Sequence, residues 1–439
     1  MEERQLLNES LSELPSEVIR DILCRLPIKT CQRCKLVCKD WYDIITSPHF
    51  ADLRRSYSSR LVTLLLYCYL PNARLNFLML ELDKKSSIVH QMGHVRVSTD
   101  CMMKFKSKFD VPNGKLFVVN VCNGLVCLKS GKKWGCYYIC NLLTSRFLMV
   151  KQVQPRFHHL YAYVLGCCPI DAKMQYDSHI SRNFGDFDVD SLIYGSKQAS
   201  CVGSRPMTHQ FKVLRILKTR TEYVAEILTL GSDKWRQIPD APKSSYKFQA
   251  FLNGSSHWYD HWDDECNMWA FHFGTEKFLR IPTPVEFKVR REAALAVFDS
   301  CLCFCCVYGN SYSEREVWLM KEYGAGHSWV RQLVIHVPEP LWYGPYKPLA
   351  RMDDGRILIS RWNSCIALYD PETRAYKEVK VNGASNIQRL EAYDADFSWM
   401  SGGVQRERSS ALLYADKKMT SSASVNAGVA RDIDNQNSI

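Results

Sequence analysis

No stretch of this 439-residue chain approaches the roughly 20 consecutive apolar residues that a membrane-spanning helix requires. The longest candidate, starting at Leu61, breaks at Pro71 and consists of strand-type residues. The charged start, Met1-Glu2-Glu3-Arg4, is followed by no apolar core of a secretory signal, so secretion is not expected. Also absent are a Gly-x-Ser-x-Gly elbow, a glycine loop with a following Lys-Ser or Lys-Thr to cradle phosphate, and a dinucleotide fingerprint. None of these catalytic signatures is therefore available to define an active centre.

Cysteine is plentiful, at 19 residues, but the odd count in a long chain argues for reduced thiols in an intracellular compartment rather than a disulfide framework. Cys301, Cys303 and Cys305 alternate with Leu302 and Phe304 as one face of a buried strand does. The 57 Lys and Arg against 46 Asp and Glu give a net charge of +11 from scattered positions. The densest basic cluster, Lys104, Lys106 and Lys108, alternates with Phe105 and Phe109 as a half-exposed strand with a solvated face, so no nucleic-acid partner is expected. Two groups invite a metal reading. Cys31-x-x-Cys34 with Cys38 and His49 lacks a second pair at matched spacing. His257-Trp258-Tyr259-Asp260-His261-Trp262-Asp263-Asp264-Glu265-Cys266 mixes imidazoles and carboxylates, but polar residues also collect at loop tips. His158-His159 and the acidic run Asp186 to Asp190 lack companions for acid/base or nucleophilic work. No cofactor and no metal are expected.

The most organised stretch is Leu11 to Phe50. Val18, Ile19, Ile22, Leu23 and Leu26 recur at helical spacing, with Pro15 suited to a first helical position, Ser12 or Ser16 to the cap, Glu17 to the positive helix end and Pro27 to the stop. Leu36, Val37, Trp41, Ile44 and Ile45 form a second apolar set in one or two further short helices. Three short helices cannot bury all of this, so leftover apolar surface points to a partner protein.

The order Leu14-Pro15, Ile22-Leu23, Leu26-Pro27, Val37-Cys38-Lys39 and Trp41 resembles the F-box, the adaptor-binding module of SCF-type ubiquitin ligases. The resemblance implies that Leu14, Pro15, Ile22, Leu23, Leu26, Pro27, Val37, Cys38 and Trp41 pack against a Skp adaptor, with Leu14, Pro15, Leu23 and Trp41 as the anchors. One departure is Cys31, where the family usually carries a larger aliphatic residue.

Past residue 55 the texture changes to short β-branched and aromatic runs, beginning with Arg60 to Tyr69, Leu75 to Leu82 and Ser87 to Gln91. A pattern then repeats: an apolar run with a central Asn-Gly or Asp-Gly turn, a second run, a polar turn, and an aromatic followed by an aliphatic residue. The closing aromatics Phe147, Trp235, Phe278, Trp329 and Tyr376 lie 88, 43, 51 and 47 residues apart, near the roughly 45 of a four-stranded propeller blade. The longest interval is expected to hold two units, one irregular, with His179 to Gln198 as an insertion loop. Five clear units and one or two degraded ones favour a propeller over stacked sandwiches, because radial repetition protects strand edges.

The segments CNGLVCL, FKVLRI, LNGSSHWYD, FLRIP, SWVRQL and ALYDPETRAY resemble the F-box-associated domain of a large plant protein family, a relative of kelch propellers. The only Gly-Gly pair, Gly402-Gly403, lies outside the repeats, which favours that label over kelch itself. The expected fold is thus α plus all-β and multidomain. It comprises a flexible 1–10, a three-helix F-box at 11–50, a β-propeller-like repeat domain at 51–385 and, from its polar composition, a disordered tail at 394–439.

The function this implies is a non-catalytic substrate-recognition subunit of an SCF-type (Skp-cullin-F-box) E3 ligase, nuclear and/or cytoplasmic. It docks on a Skp adaptor and cullin complex and presents an unknown target protein, above all through loops 179–210 and 257–268. A propeller-based enzyme centred on His257 to Cys266, or a scaffold outside the ligase, remain the alternatives.

Overall fold

The computed structural model describes residues 14–57, 61–69, 75–85, 88–91, 94–97, 102–106, 116–131, 136–150, 159–169, 209–219, 222–232, 234–244, 247–260, 268–284, 293–307, 313–338, 344–361, 365–381, 387–393, 397 and 413–414. Four helices open it: α1 (Ser16–Arg25), α2 (Ile28–Cys34), α3 (Lys39–Thr46) and α4 (Pro48–Tyr57). The helical module thus has one helix more than the three expected and runs past residue 50. Pro15 is the cap of α1 rather than its first residue, and its carbonyl accepts from Val18 and Ile19 at 3.0 and 3.2 Å. Ser16 supplies no side-chain cap, and Ser12 lies outside the described residues. Pro27 both ends α1 and opens α2, since a ring without an N–H suits a helix start. Leu36 and Val37 sit in the turn before α3.

Strands follow: β1 (Leu61–Tyr69), β2 (Leu75–Asp83), β3 (Ile88–Gln91), β4 (His94–Val97) and β5 (Met102–Lys106). Five groups of four come next. The first is β6 (Leu116–Cys122), β7 (Leu125–Ser130), β8 (Tyr137–Asn141) and β9 (Arg146–Val150). The second is β10 (His159–Pro169), β11 (His209–Lys218), β12 (Tyr223–Thr229) and β13 (Arg236–Ile238). The third is β14 (Ala250–Leu252), β15 (Ser255–Tyr259), β16 (Met268–His272) and β17 (Lys277–Ile281). The fourth is β18 (Ala294–Phe298), β19 (Cys301–Cys306), β20 (Glu314–Met320) and β21 (Trp329–His336), and the fifth β22 (Tyr346–Arg351), β23 (Ile357–Arg361), β24 (Cys365–Tyr369) and β25 (Tyr376–Lys380). Each group is one antiparallel meander. The sixth sheet is closed from both ends of the chain, because β26 (Ile387–Ala392) pairs with β1 and β27 (Leu413–Tyr414) pairs with β5.

Every blade buries both faces, which is why the strands carry apolar residues at consecutive positions. In β1, Leu64 and Leu66 join one core while Leu65 and Tyr67 join the next. In β19, Cys303 and Cys305 face the fifth group while Leu302, Phe304 and Cys306 face the third, so the cysteine face is one of two buried faces. Six hydrophobic clusters fill the six gaps between neighbouring sheets, which closes the ring as a six-bladed propeller. The landmark aromatics Phe147, Phe278, Trp329 and Tyr376 lie in the fourth strands, and Trp235 directly precedes one.

Two expectations are corrected, for the 88-residue interval and for the C-terminal boundary. The 88-residue interval holds one blade, not two, since β10 pairs directly with β11 and Pro169 faces His209. The segment 179–198, expected as a loop, lies outside the described residues between them. The third early strand, β3, joins with β4 the outer edge of the fifth group, β4 running parallel to β25. The C-terminal boundary at 385 falls short of β26, and Phe397, inside the expected tail, is 1% exposed against Phe50 at 6.2 Å. Residues 1–10, Lys108 and Phe109 lie outside the described residues, and so does the tail beyond 394 apart from 397 and 413–414.

The hairpin turns follow the sequence chemistry: Asn123-Gly124 and Asn253-Gly254 both have positive φ at their two central residues. Asp299-Ser300 makes the same turn without glycine, at φ 50° and 60°. Left-handed backbone costs an L-residue about 1–2 kcal/mol, partly offset by glycine's greater unfolded entropy. Ser300→Gly is therefore expected to stabilise the protein by about 0.5–1 kcal/mol in urea unfolding.

Candidate adaptor-docking face and its junction with the propeller

The break between α1 and α2 leaves backbone groups that neither helix satisfies. One ion pair satisfies both ends. Arg54 of α4 donates Nη1 to Leu26 O at 2.6 Å and Cys24 O at 3.2 Å, while Glu81 of β2 accepts from Ile28 N at 2.6 Å. The two side chains meet at 2.5 Å, 5% and 9% exposed. Burial pushes the Glu81 pKa up, with Arg54 and the Ile28 amide pulling against it. Beneath them the Cys31 thiol donates to Leu23 O at 3.3 Å and lies 3.6 Å from Arg54 Nη1. The thiol lies under the guanidinium at the position where the pattern carries a larger aliphatic residue. Burial pushes Cys31 up to about 12 and Cys24 up to about 11, so both stay protonated, the form least suited to metal.

A second tie lies at the α2 C-terminus. Gln32 Nε2 and Lys35 Nζ donate to Leu143 O, in the β8–β9 turn, at 2.6 and 3.3 Å, and Lys35 stands 5.6 Å over the Phe397 ring. Leu23, Cys24, Ile28, Cys31, Cys34, Ile45 and Phe50 share one core with Leu65, Phe77, Met79, Phe105, Leu142 and Leu143. Part of the apolar surface that three helices could not bury is thus covered by the propeller itself.

The rest stays open. Among the described residues, the exposed large apolar side chains are Val18 (42%), Ile22 (46%), Leu36 (86%), Val37 (62%), Tyr42, Tyr57, Phe117 and Val330. Six of the eight belong to the helical module. Val18 and Ile22 are one turn apart on α1, and Leu36 and Val37 crown the α2–α3 turn. Of the nine residues matching the F-box pattern, Pro15, Ile22, Pro27, Val37 and Cys38 are exposed, Leu14, Leu26 and Trp41 half-buried, and Leu23 buried at 1%. The pattern alone did not single out Val18, Arg54 or Glu81; the signal for Glu81 was a carboxylate set between Leu80 and Leu82 in the largely apolar strand LNFLMLELD.

The second candidate centre is not a loop at its start. His257, Trp258 and Tyr259 belong to β15, whose five residues are all buried, and Asp260 is 3% exposed; 261–267 lies outside the described residues. His257 Nε2 and the Tyr323 hydroxyl share a hydrogen bond of 2.6 Å, and Trp258 donates to Ser244 Oγ at 2.7 Å. These are blade contacts, so 257–259 does not belong to a target-binding loop or an open active centre. Among the described residues, no group of three His, Cys, Asp or Glu side chains could hold a metal ion.

An open apolar helical face fused to a closed propeller defines a protein-interaction architecture. Residues 11–53 match the F-box domain and residues 194–401 the F-box associated beta propeller domain, together more than half of the chain. The chain belongs to the F-box proteins that carry this propeller. F-box protein At3g07870 of Arabidopsis thaliana is 26% identical, covering 89% of this chain and 92% of its own. F-box protein CPR1 of the same plant is 22% identical, covering 84% and 85%.

Burial pushes both His257 and His272 down to about 4 from 6.5. A folded pKa below the unfolded one means that the unfolded chain binds protons more readily. The stability these neutral rings contribute is complete above pH 6.5 and lost as pH falls toward 4. Urea midpoints are expected to decline across that window, less steeply in His257→Gln.

Proposed function

We propose that this protein is a substrate-recognition subunit of an SCF-type E3 ubiquitin ligase. The F-box docks on a Skp adaptor, the adaptor brings the cullin, and the propeller holds a target protein for ubiquitination and degradation. The observation that carries the reading is the concentration of exposed apolar side chains on the helical module, six of the eight large ones among the described residues.

Docking uses Leu14, Pro15, Ile22, Leu26, Pro27, Val37, Cys38 and Trp41, with Val18 and Leu36 extending the face and Leu23 supporting it from below. The receptor itself performs no chemistry. Holding a target's lysines beside a charged conjugating enzyme raises their effective concentration, which is the catalytic contribution. The junction supports this role, because a module locked to the ring holds the target at a fixed distance from the adaptor. The cysteines described are free thiols, which agrees with a reducing nuclear and/or cytoplasmic location.

The test is binding of purified Skp-type adaptor to the full chain. Ile22→Asp with Val37→Asp is expected to weaken it by about 100-fold or more, since each buries a charge in an apolar interface. Unfolding should shift by no more than about 0.5 kcal/mol, because both positions are exposed. Leu23→Ala is expected instead to cost about 2–5 kcal/mol of stability. A wild type that recovers no adaptor, or a double variant that binds unchanged, contradicts the reading.

A further inference from the structure

The inner strands β6, β10, β14, β18, β22 and β26 line the propeller axis, and no backbone ladder joins one to the next. Polar side chains bridge them instead. Asn120 of β6 donates to Leu165 O at 2.8 Å and accepts from Leu165 N at 3.0 Å on β10. Gln249, just before β14, accepts from Leu295 N of β18 at 2.7 Å. Arg389 of β26 donates Nη1 to Val119 O of β6 at 3.0 Å and Nε to Glu391 Oε1 at 2.5 Å.

Lys347 of β22 does something different. Its Nζ lies 3.4 Å from Gln249 O, which belongs not to a neighbouring blade but to the blade beyond. The Lys347 side chain therefore reaches across the inner side of the β18–β21 blade, toward the propeller axis. There it feels Glu391 and Arg389, and burial pushes its pKa down.

Lys347, Arg389 and Glu391 thus act on one another there, two cations against one carboxylate among these three. The donors outnumber the acceptors. Among the described residues, Lys347 carries three ammonium protons against one carbonyl at a long 3.4 Å, and Arg389 carries five N–H groups against two acceptors. Arg389 and Glu391 are nonetheless 28% and 20% exposed, so the channel is open to solvent along their length. Glu391 and the Val119 carbonyl fix the guanidinium plane, which presets the remaining face of the fork. Charged donors held in place beside a solvent-reached channel, with more N–H groups than protein acceptors, are matched by an oxyanion.

We propose that the central channel is a binding site for a small free oxyanion, phosphate- or carboxylate-bearing, held between Lys347 and Arg389. Glu391 acts as a positioning residue for Arg389. The ligand bridges blades that share no ladder, so its binding also tightens the ring.

The test is calorimetric titration of the full chain with inorganic phosphate, pyrophosphate and citrate at constant ionic strength set by chloride. Phosphate or pyrophosphate binding without citrate assigns the phosphate class, and the reverse the carboxylate class. Lys347→Gln is expected to weaken binding about tenfold or more, the loss of one charged hydrogen bond. Arg389→Gln should do the same, while Arg351→Gln, whose partner Asp299 lies 3.1 Å away at the surface, leaves affinity unchanged. Because Arg389→Gln also removes the Val119 bond, Lys347→Gln decides, with its thermal midpoint measured alongside. No 1:1 binding of any of the three anions, or binding that survives Lys347→Gln undiminished, overturns the proposal.

Discussion

The buried pair of Arg54 and Glu81 ties the whole molecule together. It caps the end of one helix and the start of the next, and its two halves come from the last helix of the module and the second strand of the ring. Buried ion pairs offset their desolvation cost only through the hydrogen bonds they complete, and here each partner completes bonds to backbone that a proline-punctuated helix break would leave bare. Because one carboxylate serves both duties, the α1–α2 angle is set by the propeller.

The same cluster that buries α2 also fills the gap between the closing sheet and the β6–β9 blade. That gap is where the ring is sealed. β26 pairs with β1, Tyr393 donates from its hydroxyl to Gly124 O at 2.8 Å, and Phe397 returns to Phe50. The weakest point of a circular fold is where its ends meet, and here the helical module packs directly over it. Ring closure and presentation of Ile22 and Val37 thus depend on one set of contacts. Phe273 shows the density elsewhere: it occupies the space that a side chain at Gly166 would need.

Much of this was legible in the sequence. Helical spacing from Val18 to Leu26 gave α1, and the Asn-Gly turns and closing aromatics gave five blades, because hairpin chemistry and fourth-strand packing are local. What was not legible is what contacts across the chain decide. The interval from Phe147 to Trp235 looked like two units because a pairing that skips 39 residues leaves no periodic trace. His257 looked like a loop residue because a histidine buried against Tyr323 has the same composition as a polar tip. Leu23 matched the docking pattern, yet period cannot tell a residue facing a partner from one facing the chain's own ring. Cys31, the one departure from the pattern, owes its place to Arg54, which lies 23 residues further along the chain and 3.6 Å from its thiol.

The structural logic is that of a rigid bracket: an apolar face at one end, a closed ring at the other, and a shared core between them. Native-state hydrogen exchange of the full chain measures that rigidity directly. If module and ring share one core, the amides of α2 and of β2 open together, with protection factors within about tenfold of each other. An α2 that exchanges like an unstructured peptide while β2 stays protected would contradict it.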